Sequence, residues 1–258
     1  MPTFLNDSPV FGPVKSRRLG LSLGVNMMPA TGKICTFDCI YCENGFNRDR
    51  RCTERHNSAA TVLTALENEL RTMADTETLP DVITFAGNGE PTAAPEFPAT
   101  IEGAVRLRDE LAPTSKIAVL SNGTFADRPA VHDALMLVDD NILKLDTVDP
   151  AFIELLDQPV GAYDVEHQIE TFASFNGHVI VQTMFLTGSY RGQNLDNTDD
   201  VHVEPWLEAL KRIRPQAATI YTVARDTPAQ GLSKASATSL DAIARRVREL
   251  GIACQVSY

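Results

Sequence analysis

Short apolar runs of strand length alternate along this chain with longer segments whose apolar residues recur every third or fourth position. Those are the periods of a buried strand and of an amphipathic helix. Residues 1–18 hold Pro2, Pro9, Gly12 and Pro13 and read as an irregular lead-in. Residues 19–25 predict a first strand whose small residues Gly20, Ser22 and Gly24 share a face open to close approach. A long loop over 26–57 follows, then a helix with Ser58 as N-cap and Val62, Leu66, Leu70 and Met73 on one stripe. Further strands are expected at 81–86, 116–120, 141–146, 178–186 and 217–223. The helices between them begin near Pro98, at Asp127 with Pro129, at Asp164 and around Trp206. A last helix carries Leu240, Ile243 and Val247 inward, and 252–256 predicts a terminal edge strand.

Six strand–helix repeats in one order imply a parallel sheet covered by helices, in a single α/β domain over 1–258. An open doubly wound sheet and a full or partial barrel both satisfy that order, and both place chemistry at the carboxyl ends of the strands. Those ends carry the 26–57 loop, Gly87 through Thr92, Ser121 and Asn122, Asp146 and Thr147, and Ala224 and Arg225. The polar stretch 187–200 reads as a surface or lid loop.

No segment of the 258 residues is apolar over the length that spans a bilayer. The opening residues lack the basic and apolar regions of a signal peptide, so a cytoplasmic location is expected. A net charge of −11 argues against a nucleic-acid partner, because affinity for phosphates rests on a basic excess. Basic residues do cluster locally, at Lys15, Arg17 and Arg18 and at Arg48, Arg50, Arg51 and Arg55. They read as solvated charge paired with Asp38, Glu43 and Asp49, or as contacts for a carboxylate or phosphate.

The chemistry concentrates in the long loop, where Cys35, Cys39 and Cys42 stand in a C-x3-C-x2-C spacing. Three thiolates are one short of the four that close an ordinary iron–sulfur cluster or a structural zinc site. A fourth ligand from Cys52 or His56 would make a zinc site; without one, a metal keeps an open position for chemistry. Five cysteines in an acidic chain of this size do not suggest a disulfide framework.

With Tyr41 just before its last cysteine, the motif resembles the signature of radical S-adenosylmethionine (SAM) enzymes. The resemblance implies a partial (β/α)6 barrel of parallel strands. It implies a [4Fe-4S] cluster on Cys35, Cys39 and Cys42, with the SAM amino and carboxylate groups on the fourth iron. One-electron reduction would then cleave SAM to methionine and a 5′-deoxyadenosyl radical that abstracts hydrogen from a substrate. Tyr41 would lie beside the adenine. The segment Gly87-Asn88-Gly89-Glu90 is similar to the glycine-rich segment that binds the SAM amino group in that family. Glycines there let carbonyls approach an ammonium, and a carboxylate favours its charge. Asp146 is the expected ribose contact, with Asn122 and Lys144 beside the methionine and ribose and Gln182 on the fifth strand as a further candidate. Lys144 and Asp146 alternate, so both can face inward; a buried Lys–Asp ion pair would leave the same sequence.

Residues 11–24, Leu145-Asp146-Thr147 and residues 220–225 resemble a branch related to the wyosine synthases. Two departures stand against carrying over a tRNA substrate: no cysteine precedes Cys35, and the chain is acidic. The expected activity is therefore hydrogen abstraction from a small molecule, peptide or protein, with an electron donor such as flavodoxin or ferredoxin. The alternatives are tRNA-base modification and an iron–sulfur or zinc module without SAM turnover. Cys52 reads as a substrate-contacting thiol or as an idle loop cysteine.

Overall fold

The computed structural model describes residues 4–16 and 18–258. The first three residues of the lead-in, and Arg17 of the basic cluster, lie outside the described residues. The chain forms two compact units. One comprises Leu5–Cys35 and Arg50–Ile142, and the other Phe4, Thr36–Asp49 and Leu143–Tyr258.

In the first unit β1 (Val10–Ser16) pairs antiparallel with β2 (Gly20–Val25). After α1 (Ala59–Asp75), β3 (Val82–Phe85) lies parallel to β2. After α2 (Phe97–Leu111), β4 (Lys116–Ser121) lies parallel to β3. Helix α3 (Pro129–Met136) and strand β5 (Asp140–Lys144) follow, and β5 runs on into the second unit. β1 corrects the expected irregular lead-in. An edge strand tolerates Pro13, whose missing N–H needs no partner, and a shift of register between Phe11 and Val14 absorbs Gly12 and Pro13. Gly24 accepts the Phe11 ring at a distance where a Cβ would lie 2.2 Å from Cζ, which is the close approach its small neighbours suggested. Ser58 caps α1 as expected, its Oγ accepting the Thr61 N–H at 3.1 Å. The cap residue of α3 is Arg128 and not Asp127.

The second unit continues with α4 (Pro150–Leu156), α5 (Val165–Ser174), β6 (Ile180–Met184), β7 (Leu186–Tyr190), β8 (Gln193–Asn194) and α6 (Asp200–Ile213). It closes with β9 (Ala217–Tyr221), β10 (Leu232–Lys234), α7 (Ala237–Glu249) and β11 (Ala253–Ser257). β9 lies between β6 and β11, parallel to both, so the expected edge strand is present. The stretch read as a surface or lid loop at 187–200 begins within β7, which pairs antiparallel with β8 and β10 in a small separate sheet. A core of Phe152, Leu156, Met184 and Leu186 takes in Ile40 and Phe46 from the cysteine loop. Burying each of those two side chains contributes about 1.5–3 kcal/mol toward holding that loop in place. Among the described residues no helix is long and apolar enough to cross a membrane.

Candidate active site

The start of the cysteine loop, residues 36–40, is held against the chain at the end of α4 and just after it. Asp38 N–H donates to the carbonyls of Asp157 and Gln158, both at 3.0 Å, and Ile40 N–H donates to that of Leu156 at 3.0 Å. Val160 N–H returns a bond to Thr36 O at 2.8 Å, and Phe37 bridges Pro159 antiparallel. Turns then close the loop, with Cys42 N–H donating to Cys39 O at 3.1 Å and Gly45 N–H to Cys42 O at 2.9 Å. The Cys42 thiol donates to Asn44 Oδ1 at 3.9 Å. Asp38 Oδ1 accepts Asn47 N–H at 2.7 Å and ties the loop to itself.

Beneath this loop lies a buried charged centre. Lys144 Nζ contacts Tyr41 Oη at 2.5 Å, Asp157 Oδ1 at 2.6 Å and Asp146 Oδ2. Tyr41 Oη also donates to Asp146 Oδ2, and Asp146 Oδ1 accepts Met184 N–H at 2.8 Å. Lys144 thus donates hydrogen bonds to Tyr41 and Asp146 and forms an ion pair with Asp157, all within the protein. Burial alone would lower its pKa, but Asp146 and Asp157 hold it well above the usual value. Burial pushes the Asp157 carboxyl up to about 7, against the opposing pull of Lys144. Burial, with the charge of Asp146 adding to it, raises Tyr41 well above a normal phenol. The Lys–Asp pair that the sequence left as an alternative is therefore present. Asp157 is a partner the sequence did not single out, because helix α4 before it is too short to announce itself.

In the other unit Gly87, Asn88, Gly89 and Glu90 do structural work. Ile34 N–H donates to Asn88 O at 3.1 Å and Glu90 N–H to Ile34 O at 2.9 Å, a parallel bridge that sets the residue just before Cys35. The Asn88 side chain accepts Asn6 N–H at 2.7 Å and donates to Asn6 O at 2.8 Å and Pro29 O at 2.9 Å, pinning the lead-in. Glu90 Oε1 accepts Thr92 N–H, Thr92 Oγ1 and Ser121 Oγ at 3.0, 2.5 and 2.7 Å, while Oε2 accepts Asn122 N–H at 2.7 Å. Glu90 thus clamps the ends of β3 and β4 together. The Asn122 amide donates to Cys35 Sγ at 3.8 Å.

Burial raises the Glu90 carboxyl above its usual value, outweighing those four hydrogen bonds. Folding then favours the protonated form, so its contribution to stability is full below the unfolded pKa and is lost as pH rises through the folded one. Glu90→Gln turns one amide donor toward a protein donor and is expected to cost about 1–3 kcal/mol in acid. In urea denaturation the gap between wild type and variant should be widest below the ordinary carboxylate range, at about pH 4, and narrow as the pH rises. A gap independent of pH would show that Glu90 is not the group that titrates.

Gln182 on β6 donates from Nε2 to Tyr221 Oη at 3.3 Å. Cys52 packs on Gly32, where a Cβ would fall 2.3 Å from its Sγ, and His56 Nε2 is buried with no hydrogen-bond partner. Arg48 pairs with Asp49 at 3.6 Å and Glu43 with Arg225 at 2.5 Å, both in solvent. Among the described residues no three His, Cys, Asp or Glu side chains converge as ligands of a single ion. A four-iron cube holds its thiolates farther apart than one tetrahedral ion does. The donor set fits that larger group by its chemistry: none of the five cysteines is in a disulfide, and all three loop cysteines are half-buried.

No family model matches the chain. A UPF0026 protein of Helicobacter pylori strain J99 is 32% identical over 183 residues, 69% of this chain and 56% of that protein, so the chain spans little more than half its length. A UPF0026 protein of Synechocystis is 32% identical over 229 residues, 86% of this chain and 77% of that protein. A radical SAM methyltransferase from Sphaerobacter thermophilus superposes with TM-score 0.65 at 16% identity, over 92% of this chain and 66% of that one. Streptococcus suis SuiB bound to S-adenosylmethionine gives 0.62 at 15%, over 88% of this chain and 49% of that one. Archaeal TYW1 gives 0.54 at 13%, over 88% and 71%. At those identities the likeness establishes the fold, an α/β partial barrel of parallel strands of the radical SAM type. The chain belongs to the UPF0026 family and has the radical SAM enzyme fold.

Proposed function

We propose that this protein is a radical SAM enzyme that abstracts hydrogen from a small molecule, peptide or protein. Cys35, Cys39 and Cys42 hold a [4Fe-4S] cluster in this reading, and SAM is the co-substrate. When bound, the cluster supplies the electron that cleaves SAM to methionine and a 5′-deoxyadenosyl radical. The observation that carries the reading is the cysteine loop itself: three half-buried thiols outside any disulfide, in the C-x3-C-x2-C spacing, on a chain of this fold.

The protein's own groups divide the remaining work. Tyr41, its hydroxyl tied to Asp146 and Lys144, has a fixed ring to lay against adenine. Asp146 supplies the carboxylate for the ribose. Lys144, bonded to Tyr41 and Asp146 and ion-paired with Asp157, sets the orientation of those two beside the methionine and ribose. Gly87, Asn88 and Gly89 offer main-chain carbonyls to the SAM amino group, and Glu90 adds negative charge behind them. Asn122 acts on Cys35 Sγ, and Gln182 offers an amide beside Tyr221. A donor such as flavodoxin or ferredoxin supplies the electron.

Anaerobic reconstitution with iron and sulfide, followed by dithionite and SAM, tests this. The expected result is 5′-deoxyadenosine released only when reductant and SAM are both present. Protein that carries its full iron and yields none would be a metal-binding module without SAM turnover, and the proposal would fail.

A further inference from the structure

We propose that Asp157 is a positioning residue for the cysteine loop, fixing Cys39 directly and Tyr41 through Lys144. It rests on the radical SAM reading only for what the loop does; the positioning belongs to the protein alone. Asp157 itself is immobile. It terminates α4, its N–H donating to Ile153 O at 2.8 Å, and Leu156 beside it is fully buried in the core. From that anchored point the main chain offers two carbonyls, of Leu156 and Asp157, to the N–H groups of Ile40 and Asp38. Tyr163 stacks edge-on against Phe37 at 5.2 Å and closes the far side of the strip.

The side chain adds what the main chain cannot. Cys39 opens the turn whose centre holds Ile40 and Tyr41, its carbonyl accepting Cys42 N–H at 3.1 Å. The Asp157 carboxylate hydrogen-bonds Cys39 and lies 2.6 Å from Lys144 Nζ, and Nζ reaches Tyr41 Oη at 2.5 Å. One carboxylate therefore reaches both side chains of that turn, Cys39 directly and Tyr41 through Lys144. Balancing the charge of Lys144 does not require it, because Asp146 already supplies one carboxylate. Its position explains it better, at the single point where the end of α4, Lys144 and Cys39 meet.

The test uses the full chain carrying Asp157→Asn, which keeps size and main-chain bonds but removes the charge. In cluster-free protein, hydrogen exchange read by mass spectrometry should speed up about tenfold in the peptide over residues 36–46. Peptides from α7 and β11 should exchange as in wild type. In reconstituted protein the cluster's midpoint potential should move to a more positive value, because a nearby anion has been removed. Unchanged exchange in 36–46, an equal loss of protection everywhere, or a wild-type potential in the fraction that loads would each overturn the proposal. Asp157→Glu, which displaces the carboxylate by one methylene, gives the same readings with smaller shifts if the Asn variant does not accumulate. Wild type that loads no cluster would sink the radical SAM reading, while the exchange experiment would still decide the positioning.

Discussion

Cys39→Ala should abolish 5′-deoxyadenosine release, by at least about a thousandfold, since a lost ligand costs more than the roughly 10–100-fold of a lost ligand support. The fold should hardly register the change. The main-chain hydrogen bonds that shape the loop survive the change, because Asp38 and Ile40 donate from their own N–H groups and Cys39 accepts Cys42 N–H through its carbonyl; only the bond between the thiol and the Asp157 carboxylate is lost. The thiol is half-buried, so its removal opens no closed cavity. A loss of about 1 kcal/mol, or about 2–4 °C in melting temperature for a chain of this size, is the expected ceiling. Iron bound after reconstitution should fall with the activity. Cys254→Ala, on β11, should leave iron content and turnover at wild-type levels and serves as the control. Activity surviving in Cys39→Ala would remove this residue from the cluster ligands and with it the assignment of the loop.

The sequence carried the parts of this structure whose signals are local. Helix α1 is legible from Ser58 and from four apolar residues at helical spacing, all four of which are buried. The strands β3, β4, β6 and β9 are legible as apolar runs, because a parallel strand covered on both faces has no polar alternation to hide it. The parts that escaped depend on partners far along the chain. β1 contains Gly12 and Pro13, which erase its pattern, and it exists because β2 is there to pair with it. β7 is half polar and owes its place to β10, with Lys234 opposite Leu186. Helix α4 has only seven residues, below the length at which a 3.6 period can be read, and with it went Asp157.

The site residues divide along the same line. Residue types and their positions at strand ends singled out Lys144 and Asp146 in one unit and Glu90 and Asn122 in the other, and each of these side chains is mostly buried. Direction was not in the sequence. Asn88 turns out to pin Asn6 and Pro29, Glu90 to clamp β3 to β4, and Lys144 to bind two carboxylates and a phenol. Pattern can say that a side chain points inward, but which donor meets which acceptor depends on main-chain placement at the tenth-of-nanometre scale. A buried charge must find a partner or cost several kcal/mol. Glu90 finds hydrogen-bond donors on Thr92, Ser121 and Asn122, and Lys144 finds Asp146 and Asp157.

Gly89→Ala should prevent the first unit from folding stably, and the reason lies in the main chain. Gly89 sits at φ +140°, a conformation that L residues rarely adopt, and a Cβ there would stand 1.9 Å from Ile34 O and 2.5 Å from its carbonyl carbon. No rotamer change relieves a clash with backbone. Ile34 could move away only by giving up its bonds to Asn88 O and from Glu90 N–H. Those bonds contribute about 1 kcal/mol each and the strained backbone about 1–3 kcal/mol. Shifting Glu90 would also loosen its hold on Thr92, Ser121 and Asn122. A total of at least about 4 kcal/mol is a large share of the roughly 5–15 kcal/mol that a domain possesses. The expected result is insoluble protein, or a urea midpoint far below wild type. Gly161→Ala, where a Cβ would meet nothing within 4 Å, should fall within about 0.5 kcal/mol of wild type. If Gly89→Ala unfolds like Gly161→Ala, the bridge to Ile34 is not what places Cys35. If it folds but loads less iron, the glycine serves the metal loop more than the fold, since Cys35 follows the displaced Ile34 directly.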